Sequence, residues 1–162
     1  MMSVSVMSEV SAVSVQSEAF DVGAEIAHIT AGRKTVGAVA SFVGLVRDGD
    51  GPEDVKLTAM TLEHYPGMTE AALEDIVAQA KARWQLQGVR VIHRTGRLAP
   101  GDAIVLVIAA SAHRGDAFAA CEFIMDFLKT RAPFWKKEET RDGSRWVEAK
   151  DADDAAAGRW QV

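Results

Sequence analysis

The stretch from Val89 to Ala112 constrains this fold more than any other part of the chain. Two strand-like runs, Val89 to Leu98 and Ala103 to Ala112, flank the tetrapeptide Ala99-Pro100-Gly101-Asp102. Proline presets φ at the second position of a turn, and glycine supplies the positive φ that the third position of a type II turn requires. The chain must reverse there, so the two runs are expected to pair as an antiparallel hairpin. A strict alternation of strand and helix leaves no room for such a pair. The rest of the chain has to be arranged around it.

Val36 to Val46 reads VGAVASFVGLV, β-branched, glycine-punctuated and apolar on both faces. That pattern predicts a central strand buried on two sides. Lys56 to His64 alternates, with Met60 and Leu62 on one face and Thr61 and Glu63 on the other, as a half-buried strand does. Val13 to Gln16 suits an edge strand. Asp21 is placed to cap a short helix carrying Val22, Ile26 and Ile29. After Pro66-Gly67, the residues Leu73, Ile76, Val77, Ala80 and Trp84 form one helical stripe, and Gly88 is expected to close it. A second helix is expected from about Gly115 to Lys129, with Phe118, Cys121, Ile124, Met125 and Leu128 on its apolar face. Pro133 forbids its continuation. Beyond it, two short strands are expected about Asp142-Gly143. Strands follow strands too often for a parallel sheet, so the fold class is α+β, one domain with a mixed or antiparallel sheet. Residues 1–12 have no turn chemistry or period and are expected to be a flexible extension to a domain spanning 13–162.

Composition narrows the function classes. With 162 residues, 48% hydrophobic and 25% charged, the chain has the make-up of one globular domain. A net charge of -5 argues against a general nucleic-acid binder. A single cysteine excludes an internal disulfide, a CxxC pair and any multi-cysteine metal cluster. Cys121 itself falls on an apolar helical stripe and reads as a small core residue. No apolar run is long enough for a membrane helix. Met1 to Ser17 alternates Ser and Val without a basic region or an unbroken apolar core, so no secretory signal is expected and the expected compartment is the cytoplasm.

One segment stands out chemically. Lys129 to Arg145, KTRAPFWKKEETRDGSR, holds six of the eighteen Lys and Arg residues, and its first nine positions contain no acid. A solvated basic face after a helix C-terminus would account for the charge. The buried-looking Ala-Pro-Phe-Trp in its middle points instead to a backbone that is packed down, holding Lys129 and Lys136 in place. A lysine held near other cations and partly desolvated becomes a usable acid, base or nucleophile. Ser111-Ala112-His113-Arg114-Gly115 sits where a strand meets a helix. Free N–H groups there bind anions, and His113 and Arg114 would add charge-assisted hydrogen bonds; simple capping is the alternative. Arg47 emerges from the end of an apolar strand. His28, His64 and His93 have no partner at metal-ligand spacing, so no metal site is expected. Adjacent pairs such as Glu63-His64 and Glu138-Glu139 point to opposite faces of a strand. GxGxxG, GxxxxGK[ST] and GxSxG are absent. The residues themselves point to a pocket for a phosphorylated or otherwise anionic small molecule. They leave open a non-catalytic metabolite-binding module, a Schiff-base enzyme using Lys129, and a transferase.

Five segments resemble the large, catalytic subunit of molybdopterin synthase. They are LEHYPGM (62–68), VIHRTGRLAPGD (91–102), SAHR (111–114), FIMDFLKTRAPFWKKE (123–138) and RWVEAK (145–150). The similarity runs from about Val13 to Trp160. It implies an α/β hammerhead-like domain with an extra antiparallel sheet, and no cofactor. It implies sulfur transfer to cyclic pyranopterin monophosphate, forming the dithiolene of molybdopterin. The sulfur would arrive as a thiocarboxylate on the Gly-Gly tail of a small ubiquitin-like subunit, within a heterotetramer built on a homodimer. By the same resemblance Lys129 and Lys136 would be catalytic. Arg47, His113, Arg114, Leu45, Val46, Lys137, Glu138 and Lys150 would bind substrate. Leu45 stands where many relatives carry lysine, and Lys150 where relatives often carry arginine. Lysine keeps the charge and lacks the bidentate fork.

Overall fold

In the computed structural model, which describes residues 11–48, 56–147 and 151–160, the Ala99–Asp102 turn closes as its sequence demands. Gly101 takes φ 95° and the Asp102 N–H donates to the Ala99 carbonyl at 3.0 Å. Residues 1–10 of the expected extension, most of the loop after Arg47, and Lys150 lie outside the described residues.

The chain runs β1 (Val13–Gln16), α1 (Val22–Thr30), β2 (Ala38–Leu45), β3 (Leu57–His64), α2 (Met68–Arg83), β4 (Leu86–Arg94), β5 (Gly96–Leu98), β6 (Ala103–Ser111), α3 (Arg114–Arg131), β7 (Phe134–Thr140), β8 (Gly143–Val147) and α4 (Asp151–Gly158). Two four-stranded sheets result, with orders β1-β4-β6-β2 and β5-β3-β7-β8. The fold is α+β, as expected. The predicted hairpin is the β4–β6 pair, with Val91 opposite Val107. Its first arm is not one strand, however. The chain bends at Thr95, and Gly96 to Leu98 crosses into the second sheet to pair with β3. Gly96 permits this bend by adopting φ 89°.

The core lies on both faces of the first sheet. Val105, Val107 and Ala109 of β6 pack with Leu73, Ile76 and Val77 of α2 and Phe123, Ile124 and Leu128 of α3. Leu106 and Ile108 face the other way, against Ile29 of α1. Each such side chain contributes about 1.5–3 kcal/mol by leaving water. A smaller cluster of Val46, Leu57, Leu62 and Leu98 ties the second sheet to the strand ends of the first.

Four expectations need correction. The strand buried on two sides is β6; β2 is an edge strand, with Phe42 41% and Leu45 57% exposed. Its two-sided apolar pattern is real, but only one edge of β2 is covered within the chain. Gly88 does not cap α2. That helix ends at Arg83, and Gly88 lies inside β4, where Ile29 Cγ1 would stand 2.7 Å from any Cβ. Phe118 is 64% exposed, while Phe123 and Phe127, which the predicted stripe omitted, are buried. Finally, α4 had no counterpart in the expected order; it packs Ala157 into the main core.

Candidate active site

Residues of four elements converge on one cleft. Leu45, Val46, Arg47 and Asp48 come from the end of β2 and the turn after it. Lys129 comes from the last turn of α3. Lys136, Glu138 and Thr140 come from one face of β7, and Ser144 and Arg145 from β8. The cleft encloses about 910 Å³, with Leu57, Met60 and Ile104 as its apolar floor. A small phosphorylated heterocycle fits this volume.

Local structure explains each placement. The carbonyl of Val46 accepts from the Gly101 N–H at 2.6 Å, and its own N–H donates to Asp102 at 2.8 Å. The proline-glycine turn therefore anchors the end of β2 and sets where Arg47 leaves the sheet. Val46 is itself buried, so it contributes packing and a fixed backbone. Lys129 projects from the negative end of the α3 dipole, which stabilises its charge. Along β7 the period of two sends Lys136, Glu138 and Thr140 to the cleft and Lys137 and Glu139 away.

Four cations and three carboxylates line the cleft among the described residues. Glu138 is engaged by Arg145 at 3.3 Å and Asp48 by Lys56 at 3.9 Å. Two of the three carboxylates are thus held by residues other than Arg47, Lys129 and Lys136. That trio supplies the positive field, in a chain whose net charge is negative. The arrangement suits charge that develops on a bound anion.

Of the residues singled out from sequence, Lys129, Lys136, Arg47, Leu45, Val46 and Glu138 meet here. Lys137 does not: its ammonium lies 5.8 Å from the ring of Trp146, its cross-strand neighbour. His113 and Arg114 are exposed at the opposite end of α3, about 22 Å from Lys129 at the helical rise per residue. Capping does not explain them, because His113 sits at the N-cap position and makes no side-chain cap hydrogen bond. Ser111 instead donates to the Gln85 carbonyl at 2.9 Å. Lys150 lies outside the described residues.

Arg145 was not singled out from sequence. The turn expected at Asp142-Gly143 would have set Glu138 opposite Val147; the loop is instead Arg141-Asp142, with Thr140 paired to Gly143, and that register sets Glu138 opposite Arg145. Cys121 is a core residue. Burial, with some help from Glu122, pushes its thiol up to about 11, so it stays protonated at neutral pH. No group of three or more His, Cys, Asp or Glu is placed to hold a metal ion among the described residues. No described helix is long and apolar enough to cross a membrane.

Comparison with known proteins agrees with this picture. The family model described as MoaE protein matches residues 15–131. The molybdopterin synthase catalytic subunit of Ralstonia nicotianae is 59% identical over 148 residues, covering 91% of this chain and 83% of that protein. The molybdopterin synthase catalytic subunit of Pseudomonas aeruginosa is 56% identical, covering 93% of this chain and 99% of that protein. Among solved structures, the molybdopterin biosynthesis MoaE protein from Burkholderia ambifaria superposes with a TM-score of 0.80. It is 53% identical and covers 94% of this chain and 99% of that one. On its sequence, its two-sheet fold and the cleft between them, the chain belongs to the MoaE family.

Proposed function

We propose that this chain is the catalytic subunit of a molybdopterin synthase. It transfers sulfur from the C-terminal thiocarboxylate of a small ubiquitin-like subunit to cyclic pyranopterin monophosphate, forming the dithiolene of molybdopterin. The observation that carries this reading is the convergence of Lys129, Lys136 and Arg47 on one cleft of about 910 Å³. A thiocarboxylate sulfur is already nucleophilic, so the protein's task is to position it and neutralise charge. Lys129 stabilises the developing anion or moves a proton as the pterin carbon is attacked. Lys136 assists opening of the cyclic phosphate, and Arg47 holds that phosphate, for which a bidentate guanidinium is suited. Glu138 is engaged by Arg145, an ion pair that orients it along the cleft wall.

His113 and Arg114 fit this reading through a second copy. The β2 edge is apolar and exposed, which is the kind of surface another chain covers. An antiparallel pairing of two β2 edges about a two-fold axis sets Ala38 of one copy beside Leu45 of the other. Ala38 pairs with Ser111 within its own chain, so His113 and Arg114 of one copy then lie toward the cleft of the other. Lys137, turned away from the cleft toward Trp146, is assigned no contact with substrate in this arrangement. The homodimer carries one small subunit at each outer end and works in the cytoplasm.

Reconstitution tests the proposal. Mixing the chain with a small thiocarboxylated protein ending in Gly-Gly is expected to give a stable hetero-complex. Adding cyclic pyranopterin monophosphate is expected to give the dithiolene product. A chain that binds the pterin, ignores the small protein and forms no product would be a metabolite-binding module instead. Borohydride trapping of a carbonyl substrate at Lys129 would indicate a Schiff-base enzyme.

A further inference from the structure

The crossover that joins Lys129 to Lys136 is held by contacts outside the cleft. After α3 ends at Arg131, Ala132 and Pro133 carry the chain to Phe134, the first residue of β7. His93 belongs to β4 of the first sheet and Phe134 to β7 of the second. Their rings stack with centroids 3.7 Å apart and planes 18° from parallel. A second tie comes from Thr69 of α2, which is fully buried. Its hydroxyl donates to the Pro133 carbonyl at 2.9 Å and accepts from the Tyr65 N–H at 2.9 Å. A hydroxyl thus holds residue 133 and a ring holds residue 134.

His93 is 4% exposed, and its Nδ1 lies 2.8 Å from the Arg94 carbonyl. A carbonyl can only accept, so Nδ1 carries the proton. Burial pushes the ring down to about 3, against the raising effect of that hydrogen bond; the charges of Lys136, Lys129 and His64 lower it further. The ring is therefore neutral at physiological pH, and it feels both lysines. His64, the register partner of Phe134, is in turn 3.3 Å from Glu70 of α2.

We propose that His93 is a positioning residue: stacked on Phe134 across the seam between the sheets, it fixes the crossover and so sets the separation of Lys129 and Lys136. The proposal rests on the reading of those lysines as the catalytic pair. An imidazole suits the position because it is flat, occupies the Arg94 carbonyl and adds no third cation beside two lysines. Phenylalanine keeps the first and last of these properties and loses the second. Alanine loses the stack.

The test compares His93→Ala, His93→Phe and His93→Leu in the full chain. Backbone amide shifts of residues 129–137 are followed by NMR, and kcat and KM by the reconstituted product assay. In His93→Ala the shift changes are expected to reach the amides of both Lys129 and Lys136. Its kcat is expected to fall about 10- to 100-fold, as misplacing a reacting group by ~1 Å does, with KM within about threefold. His93→Phe is expected to restore the amide pattern and to bring kcat within about threefold of the unaltered chain. His93→Leu fills the space without a flat ring and decides the matter if the alanine variant does not fold; the same fall in kcat is expected. A folded ring-less variant with unaltered kcat overturns the proposal, as do amide changes that stop at Phe134. So does a phenylalanine variant no better than alanine. Should the unaltered chain form no product, the proposed activity fails, and the amide comparison alone decides the positioning.

Discussion

The two sheets divide the labour of this molecule. The first is covered on both faces by helices, and β6 at its middle is buried from Val105 to Ser111. The second carries β7 and β8, whose residues are half-buried or exposed throughout. Lys129 comes from a helix packed on the first sheet and Lys136 from the second. A rigid slab thus sets one half of the site and a more open ribbon the other, and the chemistry sits at the seam. Substitutions in the slab should cost stability, while those at the seam should cost turnover.

The largest expected effect is at the seam. Lys129→Ala should lower turnover about 10²- to 10⁴-fold, the range for a lost proton-transferring group. Its thermal midpoint should scarcely move, because Lys129 is exposed. Ile124→Ala reverses the pattern. That side chain is fully buried under the first sheet, and its loss should cost about 2–5 kcal/mol in denaturant unfolding. The folded fraction should keep its kcat. Third, acid should find the seam through His93. Its folded pKa is depressed, to about 3, from an ordinary 6.5. Below pH 6.5 the unfolded chain therefore binds more protons at this site, and stability falls as pH drops toward 3. At pH 5 this amounts to about 2 kcal/mol relative to neutral pH. His93→Phe should lose that component, visible as a flatter acid limb in pH-dependent unfolding. The smallest effect belongs to the rim of the second sheet. Arg97 and Glu139 are 3.2 Å apart and Arg97 is largely exposed. Arg97→Ala should change stability by less than about 1 kcal/mol, and less still in high salt.

The sequence made the turns and the polar clustering legible, because both are local. Pro100-Gly101 imposes a reversal where expected, and the reversal expected at Asp142-Gly143 falls one residue earlier, at Arg141-Asp142. The basic run around KTRAPFWKK marked Lys129 and Lys136, since a helix stop followed by a strand brings the ends of two elements together. What escaped was set by distant partners. Periodicity records that β2 is apolar on two faces and says nothing about which neighbours cover it, so an edge strand was read as central. Of the stripe expected on α3, Cys121, Ile124, Met125 and Leu128 are buried and Phe118 alone turns outward; Ala117, Ala120, Phe123 and Phe127 complete the buried face. Thr95 divides one strand-like run between two sheets, an event that only Gly96 hints at. His93 looked like an ordinary strand histidine because Phe134, its stacking partner, lies forty-one positions along the chain.

The claim that chemistry sits at the seam is tested most directly by single-turnover formation of dithiolene. The chain is mixed with thiocarboxylated partner and cyclic pyranopterin monophosphate, and compared with Lys129→Ala at matched folding. The unaltered chain should convert the pterin. The variant should bind the partner with undiminished affinity and form product at least about a hundredfold more slowly. Near-normal product formation by Lys129→Ala would contradict the account.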